Sequence, residues 1–164
     1  MRSARDILMM VQFYYHRISS ERLSVEALMY DTYGMDLHID YNLEDRVETY
    51  PDPKSNETIL INKIMNLDTK IDKTKETINH YVSIVDWIEN WCKQTLTEQE
   101  LIVIQLSYFG KQLLDRRQVA KKLKYSEAWV TKIRTSAYHK LDNSLVDLRQ
   151  CHKLPEELDD YIGG

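Results

Sequence analysis

A repeat of mostly apolar residues, with alternating spacings of four and three, runs unbroken through the middle of the chain. Its members are Leu60, Ile64, Leu67, Ile71, Thr74, Ile78, Tyr81, Val85, Ile88 and Cys92. This spacing places all ten side chains on one face of an α-helix. It predicts one long helix over residues 56–92, about 55 Å in length at 1.5 Å per residue.

Such a face must be covered by other helices. β-branched residues at the first heptad position, with leucine at the fourth, favour a parallel two-stranded coil in the first half. In the second half Ile84 and Trp91 widen the stripe, which favours a bundle of several helices. Both a second subunit and an N-terminal helix can supply the cover. The residues expected to mediate oligomerisation are Leu60, Ile64, Leu67, Ile71, Ile78, Tyr81, Val85 and Ile88.

The segment before the long helix has weaker signals. The spacing of Ile7, Val11, Tyr14 and Ile18 predicts a first helix over residues 4–18. A second short helix is predicted over 21–33, ended by Gly34, and 35–55 is predicted to be a loop or linker. The first helix is too short to cover the whole heptad face. We therefore expect self-association, with a dimer favoured.

Composition supports an all-α fold, because the 164 residues include only four Gly and three Pro. No apolar run approaches the roughly 20 residues that span a bilayer, so we expect no membrane association. The two cysteines and five histidines have no metal-ligand spacing, and no Gly-rich phosphate loop is present. We expect a soluble intracellular protein that is not an enzyme and has no catalytic residues, metal or cofactor.

Capping signals divide residues 95–150 into short helices. Thr97, with Glu100 three residues later, predicts a helix ending near Gly110. Asp115 predicts a helix up to Leu123, and Ser126 predicts another, to about Leu141. Two short helices joined by a tight turn indicate a helix-turn-helix, although a plain helical hairpin in a bundle remains an alternative. Four apolar residues form its inner faces: Val119, Leu123, Val130 and Ile133.

Charge separates this region from the rest of the chain. Residues 111–140 contain nine basic and two acidic side chains, a net charge of +7. The whole chain has a net charge of −4, so the remainder carries −11. A basic module on an acidic protein is typical of a phosphate-binding face. Residues 1–94 are thus predicted to be a helical oligomerisation region, 95–150 a DNA-binding domain and 151–164 an acidic tail.

The order of features from Leu96 to Leu141 resembles region 4 of sigma-70-type factors, which reads promoter DNA. With the long heptad helix added, residues 36–142 resemble phage regulators related to ArpU and RinA. The resemblance implies a cytoplasmic protein of a bacterial host that activates late genes of a phage or mobile island. One departure is Lys124, which stands in the turn where glycine is usual and has either to adopt a left-handed conformation or to form a different turn.

On this resemblance, the helix that begins at Ser126 would enter the major groove of double-stranded DNA. The base-reading candidates are Glu127, Ala128, Trp129, Thr131, Lys132 and Thr135. Glu127 suits a cytosine amino group, and Lys132 suits guanine. Trp129 is expected either to contact DNA or to pack on a neighbouring subunit. The phosphate-binding candidates are Arg116, Arg117, Lys121, Lys122, Lys124, Arg134, His139 and Lys140.

Two other functions fit the same elements. A small terminase subunit that packages DNA also joins a helix-turn-helix to oligomerising helices, and would form a ring. An interaction protein would instead use the module to bind RNA polymerase or another regulator. An inhibitory protein is a further candidate partner.

Overall fold

A computed structural model describes residues 3–36, 56–110 and 112–163 of the chain. These residues form six α-helices and no strand, so the expected all-α class is confirmed. The helices are α1 (Ala4–Asp36), α2 (Asn56–Thr95), α3 (Glu98–Tyr108), α4 (Arg116–Leu123), α5 (Glu127–Gln150) and α6 (Glu156–Gly163). No helix in the described ranges has the length and apolar character needed to cross a membrane. The long heptad helix is confirmed, with α2 ending three residues later than predicted.

The prediction of two helices before residue 35 was wrong, because α1 is continuous from Ala4 to Asp36. Ser19 and Ser20, which fall between the two predicted helices, lie inside α1, and Gly34 does not end it. The buried stripe of Tyr14, Ile18 and Val25 continues through the serines with helical spacing. Packing of such a face stabilises a helix more than local propensity does, which accounts for the uninterrupted helix.

The chain divides into two compact units. One unit is Ile18–His80, which comprises the second part of α1 and the first part of α2. Its buried apolar residues include Ile18, Val25 and Ile71. Ile71 belongs to the heptad repeat of Leu60 to Cys92, here called the heptad seam, and three other seam residues, Ile64, Leu67 and Ile78, are half-buried. The side chain of Leu60 lies outside the described residues.

The other unit is Met1–Arg17 together with Tyr81–Gly164. Its largest buried cluster draws on α1, α2, α3, α5 and α6, and so spans the predicted boundary at residue 94. The fully buried members include Ile7, Val11, Ile88, Ile104, Leu141 and Leu158. Residues 156–163, part of the predicted acidic tail, instead form α6, because Leu158 gives that segment an apolar anchor in the core.

The second half of the heptad seam is buried by other helices of the same chain. Val85, Ile88 and Cys92 are buried in this cluster, and Trp91 joins them with its indole N–H donating to the Ser144 hydroxyl at 3.1 Å. Burial raises the pKa of the Cys92 thiol to about 12, so it stays protonated. These seam residues need no second copy to cover them. Self-association through the rest of the seam stays a prediction.

Polar contacts from the start of α1 position α3 and α5. The side-chain amide of the buried Gln12 donates to the carbonyl oxygens of Tyr108 and Gly110, at 2.7 and 2.8 Å. It thereby satisfies carbonyls at the C-terminal end of α3 that have no helical partner. The backbone N–H of Ala4 donates to the Asp142 carboxylate at 2.6 Å, which ties the first turn of α1 to α5.

Candidate nucleic-acid interface

α4 is a single short helix with a well-formed start. The Asp115 carboxylate accepts from the backbone N–H of Gln118 at 2.8 Å, and the Gln118 side chain accepts from the Asp115 N–H at 2.9 Å. This reciprocal pair confirms Asp115 as the N-cap and satisfies two otherwise unpaired donors. α4 therefore begins at Arg116, with its basic residues in a defined register.

The turn between α4 and α5 depends on Lys124. Its φ and ψ angles are 58° and 36°, in the left-handed region, which is one of the two alternatives expected for a residue other than glycine at this position. The N–H of Tyr125 then donates to the carbonyl of Ala120 at 3.1 Å, a bond typical of the Schellman helix end. Ser126 accepts from the N–H of Trp129 at 3.2 Å, which confirms Ser126 as the N-cap of α5. Only two residues thus separate the left-handed residue from α5.

A second buried cluster holds α3, α4 and α5 together. It consists of Val103, Val119, Ala120 and Val130, with Leu123 and Ile133 half-buried against it. The four apolar residues predicted for the inner faces of the two helices therefore do face inward. With that side fixed, the opposite sides of α4 and α5 are exposed.

The exposed face of α5 near its N-terminus is lined by small and polar side chains. Ala128, Thr131, Lys132, Thr135 and His139 are all exposed and share this face by helical spacing. The hydroxyls of Thr131 and Thr135 donate to the carbonyls one turn earlier, each at 2.9 Å. Their methyl groups and the remaining lone pairs of their hydroxyl oxygens can still contact a bound molecule. The short side chains of Ala128, Thr131 and Thr135 allow another molecule to approach the helix closely.

Several exposed basic side chains border this face. Among the described residues, Lys121, Lys122, Lys124 and Lys132 make no salt bridge within 4.0 Å. The Arg116 and Arg117 Nε atoms lie 3.3 and 3.4 Å from the two carboxylate oxygens of Glu127. The predicted base reader Glu127 is therefore paired with two of the predicted phosphate binders.

Arg134, another predicted phosphate binder, is half-buried and held by partners within the chain. Its guanidinium donates to the hydroxyls of Tyr108 and Tyr138 at 2.9–3.1 Å, and its central carbon lies 5.7 and 5.8 Å from their ring centres. Burial, together with the hydrogen bond to Tyr108, raises the pKa of Tyr138 to about 12, although Arg134 opposes this rise. Arg134 thus links α5 to α3 through the hydroxyls of Tyr108 and Tyr138.

Lys140 also has an internal partner. Its ammonium lies 2.8 Å from the buried Glu100 carboxylate, which also accepts from Ser136 and from the N–H and hydroxyl of Thr97. Burial alone would raise the pKa of Glu100, but these donors, Lys140 foremost, lower it to about 2. Lys140 therefore neutralises a buried charge. The contact joins residues 40 apart, so local sequence patterns did not reveal it.

Two further candidates have local partners. The Trp129 indole stacks on Tyr125, with ring centres 4.1 Å apart and planes inclined by 21°, and it is half-buried against the second cluster. The His139 ring nitrogen Nδ1 is 3.0 Å from the Asn143 side-chain amide. Trp129 therefore combines packing with partial exposure, whereas His139 stays on the exposed face.

Within residues 3–36, 56–110 and 112–163, no group of three or more His, Cys, Asp or Glu side chains is arranged to hold a metal ion. Comparison of this chain with protein-family models, with curated proteins and with solved structures found no match.

Proposed function

We propose that this protein is a sequence-specific DNA-binding transcription regulator in which α4 and α5 act as a helix-turn-helix. The observation that carries the proposal is the exposed face of α5, whose small and polar residues are bordered by lysines that make no salt bridge with any described residue. The major groove of B-DNA is about 12 Å wide and admits one α-helix. In this arrangement α5 lies in the groove and α4 crosses the phosphate backbone.

The four residues Ala128, Thr131, Lys132 and Thr135 are the favoured base readers. The Lys132 ammonium is suited to guanine O6 and N7, while the alanine and threonine methyl groups are suited to the thymine methyl. Because the threonine hydroxyl protons are donated to the backbone, their oxygens act as acceptors toward base amino groups. Trp129 lies at the edge of this set.

Phosphate binding is proposed for the basic residues of α4 and of the turn. These are Arg116, Arg117, Lys121, Lys122 and Lys124, which are all exposed. Arg134 and Lys140 are left out, because their charges are engaged by Tyr108, Tyr138 and Glu100. Substituting the residues proposed to bind phosphate should change the salt dependence of DNA binding, whereas substituting Arg134 or Lys140 should change the stability of the fold. Measuring both quantities therefore distinguishes the two sets.

Activation of phage or mobile-island promoters is proposed from the resemblance to the ArpU and RinA regulators alone. That resemblance also carries the proposal that the protein acts in the cytoplasm of a bacterial host. The dimer is proposed instead from the heptad repeat of α2. Contacts with RNA polymerase or with an inhibitory protein are also proposed without support from the contacts described above. A ring of eight or more subunits by light scattering would favour the packaging function instead.

Selection from a pool of random duplexes, followed by binding measurements on the enriched sequence and on a scrambled one, tests the proposal. We expect an enriched motif that binds at least about 10³-fold more tightly than random duplex. We also expect the affinity to fall steeply with salt, with a slope of about −0.9 per neutralised phosphate. Capture of RNA polymerase without duplex binding would favour the interaction protein, and the absence of any enriched motif would contradict sequence-specific binding.

A further inference from the structure

Glu127 stands apart among the charges of this surface. It is the sole acidic residue between Arg116 and Leu141, and it occupies the first position of α5. Both carboxylate oxygens are engaged, one by Arg116 at 3.3 Å and the other by Arg117 at 3.4 Å. One acidic side chain on the proposed reading helix thus holds two arginines of the helix proposed to bind phosphate.

This trio is open to exchange of partners. The side chains of Glu127, Arg116 and Arg117 are 44%, 58% and 75% exposed, so water and an approaching ligand reach all three. Exposed ion pairs are only weakly stabilising, because solvent screens them. DNA phosphates therefore compete directly with Glu127 for the two guanidinium groups. Once the two guanidinium groups have moved to phosphates, the Glu127 carboxylate would face the negatively charged DNA backbone without a hydrogen-bond donor.

We propose that Glu127, Arg116 and Arg117 form an exchange gate that suppresses binding to non-cognate DNA. On random sequence no base amino group is placed to donate to the carboxylate, so it keeps the arginines. On a cognate site a base amino group in the major groove, such as cytosine N4, donates to Glu127 in their place. The arginines are then released to phosphates. The gate rests on the proposed function and assigns Glu127 the role of a specificity-determining residue.

The E127Q variant tests the gate, because glutamine keeps the size of the side chain but removes its charge. Affinity for a random-sequence duplex is measured by fluorescence anisotropy between 50 and 300 mM salt, a range within which screening changes appreciably. We expect about tenfold tighter binding of random duplex and a salt slope steeper by about 1 to 2, as one or two arginines gain phosphates. Binding of the selected duplex should not tighten, so the specificity ratio falls.

A double-variant comparison distinguishes the gate from a simple change in net charge. In an R116Q/R117Q background, the gate predicts that E127Q no longer changes the affinity for random duplex or the salt slope. An equal gain in both backgrounds would overturn the gate and indicate general repulsion. The matched control is E98Q, an exposed acid at the start of α3, which changes the net charge equally and should leave the slope unchanged.

The two proposals fail in different ways. A wild-type protein that binds no duplex, or binds all duplexes equally, overturns the proposed function and the gate together. A wild-type protein that prefers its selected site, combined with an E127Q variant whose random-duplex affinity and slope match the wild type, overturns the gate alone. Thermal unfolding of each variant, compared with wild type, verifies that the folded protein is being measured.

Discussion

Glu100 of α3 and Lys140 of α5 form an ion pair with a separation of 2.8 Å, in which the carboxylate side chain is 5% exposed and the lysine 43%. The pair ties together two helices whose contacting residues are 40 positions apart. Because Ser136 and Thr97 donate to the same carboxylate, the charge of Glu100 is fully satisfied. A lysine that sequence patterning assigns to DNA thus has a structural role.

The pKa of Glu100 predicts an acid-dependent loss of stability. Because the pKa is lowered from 4.5 to about 2 on folding, the carboxylate contributes stability above pH 4.5, and this is lost as the pH falls toward 2. The contribution is at most about 3 kcal/mol. Urea unfolding of wild type and the E100Q variant should therefore differ at pH 6 and converge near pH 2. A difference that stays constant across this range would contradict the assignment.

The left-handed residue Lys124 predicts a stabilising substitution. A non-glycine residue in this conformation costs roughly 1–2 kcal/mol, and glycine removes that cost but adds freedom to the unfolded chain. We expect Lys124→Gly to raise the free energy of unfolding by about 0.5 kcal/mol. The matched control Lys121→Gly, inside α4, should lower it by about 1 kcal/mol. Equal losses in the two variants, measured by urea unfolding, would contradict the role of the turn.

The buried seam residue Ile88 distinguishes a core within one chain from a seam between two chains. Ile88 is fully buried, so Ile88→Ala should lower the free energy of unfolding by about 2–5 kcal/mol. The loss should be the same at all protein concentrations, because the cavity forms inside one chain. Ile61, which is 57% exposed, is the control, and its alanine variant should change stability by less than about 0.5 kcal/mol. Thermal unfolding over a hundredfold range of protein concentration measures both, and a concentration-dependent loss for Ile88→Ala would indicate an intermolecular seam.

Salt dependence distinguishes the residues proposed to bind phosphate from those with internal partners. The K121Q/K122Q variant should reduce the salt slope of duplex binding by about 1.8, with little change in thermal stability. The R134Q variant should show the reverse, because it removes hydrogen bonds to Tyr108 and Tyr138 and should cost about 1–3 kcal/mol of stability. Anisotropy and calorimetry on the same preparations measure both quantities. A slope reduced only by R134Q would contradict the assignment of α4 to the backbone.

Local signals in the sequence predicted much of the α3–α5 region correctly. Caps at Asp115 and Ser126 and the left-handed Lys124 depend on residues within four positions of each other, so their physics is contained in a short segment. The inner faces of α4 and α5 followed from helical spacing for the same reason. The heptad stripe likewise predicted α2, because one helical face repeats over many turns.

Contacts between distant residues were not predicted. The continuity of α1 across Ser19 and Ser20 depends on burial of Ile18 and Val25 on one helical face, which the prediction of two separate helices did not include. Charge counting treated all nine basic residues of segment 111–140 alike, although the partners of Arg134 include Tyr108 on α3, 26 positions away. Sequence alone located the basic module, and the folded chain identified which cations have internal partners.

Photocrosslinking from α5 tests the central claim most directly. A benzophenone amino acid is placed at Thr135, on the exposed face of α5, or at Ile102, which is 40% exposed on α3. The selected duplex is bound and irradiated, and the crosslinked nucleotides are identified. We expect position 135 to crosslink to bases at one place in the site and position 102 to give no base crosslink. Base crosslinks from position 102 alone, with binding intact in both variants, would contradict the claim that α5 reads DNA.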